Sequence, residues 1–212
     1  MKRKLIYKGF NRFCHWLQSI LIILLGITGF EVHGSLRLFG FDTAVQIHNV
    51  SAISLIVLVI FAIFWHLTTG EWKQYVPNRE KFSVQLKYYT SGIFKGEPHP
   101  YRKTELSKLN PIQRFTYLGF KLIIIPFMVT TGILYMFHEY WPIVGLDGYL
   151  GGIARVHTVG AFLLTTFFIV HLYMITTGRT VWSNLHAMLT GWEELQELEE
   201  GDEIILGAAA GD

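Results

Sequence analysis

The chain has 212 residues, of which 51% are hydrophobic and only 16% charged, a balance that excludes an ordinary water-soluble domain and points to one membrane-embedded unit. Its formal net charge of +2 gives no support to a polyanion-binding role, and its single cysteine, Cys14, excludes an internal disulfide. Aromatic residues make up 15%, which suits interfacial belts and flat apolar pockets.

Uncharged runs cover 13–30, 43–70, 122–138 and 156–178. At about 1.5 Å rise per residue, such runs are the length scale of a hydrocarbon core of roughly 30 Å, with Lys121 able to snorkel at the edge of the third. The expectation is an all-α integral membrane four-helix bundle over 1–190, with helices at 13–32, 43–70, 113–138 and 154–178. The start, MKRKLIYKGFNRF followed by an apolar run, resembles a signal peptide, but no small-residue cleavage site follows, so it reads as an uncleaved first helix.

Five Lys/Arg lie in the first 12 residues and nine in 71–114, against one each in 31–42 and 139–155. The positive-inside rule then places both termini and the long 71–112 loop in the cytoplasm. That loop, with Pro77, Gly92, Gly96, Pro98 and Pro100, reads as irregular or as short surface helices. Short outer connections make helices 1/2 and 3/4 antiparallel neighbours, and Pro126 predicts a kink in helix 3. The 191–212 tail reads as an acidic cytoplasmic extension, a solvated helix or frayed end.

Ionisable groups inside a bilayer are costly, so the histidines carry the argument. His157 and His171 are 14 residues apart, which returns them to within roughly 40° on one helix face, about 21 Å apart along the axis. With the topology above, His48 and His157 are outer and His15 and His171 inner. Each pair draws on two helices, as ligation of a haem iron through both faces requires. No CxxCH is present, so such haems are held non-covalently. His66, five turns from His48 on the same face, competes with His15 for the inner iron. Gly26, Gly29, Gly160 and Ala161 are small enough to leave gaps for a flat ring or to let helices approach. Arg12, Arg155 and Arg179 are placed to pair with propionates or to anchor the helices at the interfaces. His33, His99, His138 and His186 fall in loops or interfaces.

These residues resemble the di-haem cytochrome b membrane subunits of respiratory complexes, including the hydrogenase, formate dehydrogenase and especially thiosulfate reductase cytochrome b subunits. The likeness spans nearly the whole chain. It rests on Arg12-Phe13-Cys14-His15-Trp16, Ile27-Thr28-Gly29-Phe30, His48, Asn110-Pro111-Ile112-Gln113-Arg114, Pro126, Thr131-Gly132 and the His157/His171 spacing. It implies two haem b groups: an inner one held by His15 and His171, and an outer one held by His48 and His157. It also implies quinone, menaquinone or ubiquinone, handled near the inner haem. Gln113, Tyr117, Lys121 and His66 are the residues expected to bind it or relay its protons. His66 departs from the expected ligand set, and the loop joining helices 1 and 2 is short.

The function expected is electron transfer across the inner (cytoplasmic) membrane between the quinone pool and an iron-sulfur or other redox subunit on the outer face. No catalytic residue or nucleophile is assigned, and no nucleic acid partner. A stand-alone cytochrome b561-like quinone oxidoreductase is one rival; a haem-free four-helix transporter or scaffold is the other.

Overall fold

The computed structural model describes residues 2–77, 82–97, 108–145 and 147–195, and among these four helices are long and apolar enough to cross a membrane. We name them α1 (Gly9–Val32), α2 (Phe41–Thr69), α3 (Pro111–Met136) and α4 (Leu150–Ile175). Each begins two to four residues before its expected start and the last three end earlier, because charge does not stop a helix at a bilayer surface. Arg12 sits within the first turn of α1 and Asp42 in the first turn of α2, where a long stem reaches the headgroups and an acid favours the helix N-terminus.

The start of α3 has a local cause. The Asn110 side chain accepts the Gln113 N–H at 2.8 Å, and the Gln113 side chain accepts the Asn110 N–H at 3.0 Å. This capping box, with Pro111 at the first helical position, fixes where the helix begins. Further along, Phe120–Ile124 forms a π-helical turn directly before Pro126. Proline lacks an N–H and its ring crowds the carbonyl four residues back, and the wider turn absorbs both defects.

Helix α1 packs along α2 and α3 along α4, with lighter contacts closing the ring between α1 and α4 and between α2 and α3. Leu21, Leu55 and Leu58 are buried between α1 and α2, joined by Cys14, Leu17 and Val59. The outward faces are apolar: Val50, Ile53, Val57, Ile60 and Phe64 of α2 are all exposed. Thr28, Ser51 and Thr131 are buried instead. This inversion is what a hydrocarbon solvent selects, since only polar groups gain from facing protein partners there.

Of the two readings of Gly160, a gap for a ring or a close helix approach, the structure shows the second. A Cβ there would run into the Phe127 ring and the Met128 sulfur, so α3 and α4 touch closely at that level. Replacing Gly160 by valine is expected to cost about 1–3 kcal/mol through overpacking. A thermal melt in detergent checks this, and an unchanged midpoint would show that the helices part there without penalty.

Glu31 organises the connection from α1 to α2. Its Oε1 accepts the N–H groups of Leu38, Phe39 and Gly40 at 2.8, 2.8 and 2.9 Å, satisfying three consecutive backbone donors.

At the opposite end the helical bundle carries one small strand pair that the sequence reading did not expect. Strands β1 (Lys2–Leu5) and β2 (Trp192–Leu195) pair antiparallel, Lys2 against Leu195 and Leu5 against Trp192. Before β2, the short helix α5 (Ser183–Thr190) ends at Gly191, which adopts φ 88° and whose carbonyl accepts the N–H groups of Ile6 and Tyr7. The pairing joins the start of the expected tail to the N-terminus, satisfying backbone groups that a frayed end would leave to water. Arg179 adds an ion pair to Glu194 at 2.5 Å. Most of the acidic run, 196–212, lies outside the described residues, as do Pro98, His99 and Pro100. The described part of the 71–112 connection holds short helices: a 3-10 turn at Glu71–Tyr75 and a helix at Phe82–Lys87 that runs on as a π turn over Tyr88–Gly92.

Candidate haem-binding site

The bundle brings four of its intramembrane histidines into two facing pairs. The His48 ring on α2 faces the His157 ring on α4, with centres 6.4 Å apart and planes at 76°. The His15 ring on α1 faces the His171 ring on α4, with centres 6.1 Å apart and planes at 50°. A metal ion bound to both rings of a pair through bonds of about 2 Å would place the ring centres roughly 6 Å apart. Both pairs fit that test. Among the described residues no group of three or more His, Cys, Asp or Glu gathers into a polydentate metal site. Each pair offers two imidazoles from different helices, a set of donors that would suit an iron already held by a porphyrin.

His48 and His157 are held the same way. The Thr28 hydroxyl on α1 lies 3.0 Å from His48 Nδ1, and the Thr131 hydroxyl on α3 lies 2.9 Å from His157 Nδ1. Gly29 and Gly132 make room for these rings: a Cβ on either would come to 3.3 Å from the Cε1 of His48 or His157. The inner pair is held differently. The Tyr117 hydroxyl is 3.3 Å from His171 Nδ1, Phe167 stacks on the His171 ring at 6.0 Å, and His15 Nδ1 is buried without a hydrogen-bond partner among the described residues.

His66 stands apart from both pairs. Its Nδ1 bonds the Ala62 carbonyl at 2.5 Å, and its Nε2 lies 3.3 Å from the Tyr75 hydroxyl and 3.5 Å from Lys121 Nζ. Lys121 Nζ also sits 3.3 Å from the centre of the Tyr75 ring, a close cation–π contact. Burial, then the nearby Glu71 carboxylate and Tyr7, push the Tyr75 hydroxyl up to about 12, so it remains a proton donor at neutral pH. Glu71 itself is bridged by Lys108 at 3.3 Å and by Lys8 at 3.6 Å.

Of the other expected site residues, Gln113 and Tyr117 line a cleft of about 50 Å³ beside His171, with Phe167 and Met174. Lys121 and His66 belong to the Tyr75 cluster. Arg12 donates from Nη1 to the Leu189 carbonyl at 2.6 Å, and its buried Nε has no partner among the described residues. Arg155 donates from Nε to the Gly151 carbonyl at 3.0 Å, two residues from His157, while Arg179 is engaged by Glu194. Sequence reasoning missed the orienting part of Thr28 and Thr131 and missed Tyr75 altogether. The signal for the first was present as a Thr-Gly pair in helix 1 repeated in helix 3, each at the depth of an outer histidine on the next helix.

Four apolar spans and two facing pairs of half-buried imidazoles fit a helical membrane cytochrome of the b type. Residues 6–191 match the family model described as prokaryotic cytochrome b561, and the chain belongs to that family. It is therefore a multi-pass, haem b-binding electron-transfer protein. YdhU of Escherichia coli (strain K12), named as a candidate cytochrome, is 27% identical over 192 residues, covering 88% of this chain and 73% of that one. YedZ1 of Azospira oryzae (strain ATCC BAA-33 / DSM 13638 / PS) carries the name of a candidate protein-methionine-sulfoxide reductase subunit. It is 25% identical over 185 residues, covering 80% of this chain and 89% of its own.

Proposed function

We propose that the chain holds two haem b groups, an outer one between His48 and His157 and an inner one between His15 and His171. It carries electrons across the inner membrane between a redox subunit on the outer face and the quinone pool, with both termini cytoplasmic. The observation that carries this reading is the pair of facing imidazole sites at 6.1 and 6.4 Å. Bound haem supplies one-electron redox chemistry; the chain supplies neutral axial nitrogens, depth and a dry surrounding. Arg12 and Arg155 are the cations nearest the two surfaces for propionates, and Arg179 could join them only by exchanging its Glu194 carboxylate. The name of YedZ1, which makes it a subunit of a reductase, supports association with a partner that turns over substrate. Recovery of such a subunit with the gently solubilised protein would confirm the partner. Recovery of the cytochrome alone, still reducing quinone from a soluble donor, would favour a stand-alone quinone oxidoreductase.

Quinone chemistry at the inner side needs a ring site and a proton supply. Gln113 and Tyr117 border the cleft beside His171, and the amide of Gln113 has donors to offer a quinone oxygen. At about 50 Å³ the cleft is well below the ~300 Å³ of typical small-molecule sites, so a ring enters by moving Met174 or Ile112 aside. Lys121 and His66, linked at 3.5 Å, reach inward from the cytoplasmic side and can pass protons. Gln113→Ala or His66→Ala is expected to slow haem reoxidation by a menaquinone analogue with haem content unchanged. Wild-type kinetics in both variants would move the site elsewhere, for example to the groove of about 460 Å³ lined by Gln46, Ser51 and Ser54 between α1 and α2.

A further inference from the structure

The hydroxyls that touch the outer histidines have only one proton each, and the helix backbone already claims it. Thr28 Oγ1 lies 2.6 Å from the Leu24 carbonyl, and Thr131 Oγ1 lies 2.8 Å from the Phe127 carbonyl. Oxygen contacts this short are attractive only with the hydroxyl proton between them. Each threonine oxygen can then face the imidazole only as an acceptor, so the hydrogen bonds at 3.0 and 2.9 Å are donated by Nδ1–H of His48 and of His157. A neutral imidazole protonated at Nδ1 keeps its lone pair on Nε2. The two glycines, one residue after each threonine, let the rings lie flush against the helices that hold them.

We infer that Thr28 and Thr131 are positioning residues that fix His48 and His157 as Nδ1–H tautomers with Nε2 free for iron, and that they set the affinity and potential of the outer haem. The inference rests on the outer ligation proposed above. A neutral hydroxyl acceptor makes each imidazole a somewhat better donor without drawing off its proton, as a carboxylate would tend to do. The device occurs twice, each time from an odd-numbered spanning helix to the even-numbered one that follows it. The inner pair lacks it, since His15 Nδ1 has no partner among the described residues and His171 meets a phenol instead.

The test is redox titration and haem-release measurement on the purified holoprotein carrying Thr28→Val or Thr131→Val. Valine keeps the shape and removes the acceptor. Outer-haem affinity is expected to fall about 10–100-fold, the usual effect of losing such a partner. The outer potential should rise while the inner one stays put, and Thr131→Ser should restore both properties. If a valine variant fails to assemble, the serine and alanine variants at the same position still separate loss of the hydroxyl from loss of the methyl. Wild-type affinity and potential in both valine variants, alongside haem loss in His157→Ala, would overturn this inference alone. Two haems retained in both His48→Ala and His157→Ala would overturn the outer ligation and this inference with it.

Discussion

Replacing His48 or His157 by alanine is expected to remove one haem of two and leave the other with its b-type spectrum intact. The two rings face each other from different helices at 6.4 Å, and each is oriented by its own threonine. If His48 and His157 together hold one haem non-covalently, removing either imidazole would leave that haem with half its protein bonds, so it would be released or left with a high-spin spectrum. Either single variant should therefore show half the reducible low-spin absorbance. The double variant His48→Ala/His157→Ala should lose no more than the singles, because one site is involved. Additive loss reaching zero haem would mean that the two histidines serve different sites.

At the inner side His15→Ala and His66→Ala are expected to differ sharply. His15 faces His171 at 6.1 Å, whereas both nitrogens of His66 are taken up by the Ala62 carbonyl, Tyr75 and Lys121. His15→Ala should lose the inner haem. His66→Ala should keep both haems and show its defect in quinone kinetics. Haem content measured side by side decides between them, and loss confined to the His66 variant would reverse the inner assignment.

The spans were legible in the sequence because hydrocarbon imposes a length and forbids charge, so 13–30 and 43–70 announce α1 and α2 without any tertiary information. The histidine pairs were legible for a related reason. Buried imidazoles are rare enough in a bilayer that depth alone sorts His48 with His157. Ends and caps were harder to read: Asn110 and Gln113 form a capping box, a local geometry that competes with any binding role read from the same residues. The β1/β2 pairing was invisible, because residues 2–5 and 192–195 carry charges that mask a four-residue ladder formed only across the length of the chain. The Tyr75 cluster was equally hidden, since it depends on how a 3-10 turn folds back on α2 and α3.

Haem stoichiometry reaches the central claim most directly. The purified protein's haem b, measured against polypeptide and resolved by redox titration, should give two b-type haems per chain with separate potentials. A single haem per chain, or none, would contradict the assignment of an iron to each facing pair of imidazoles.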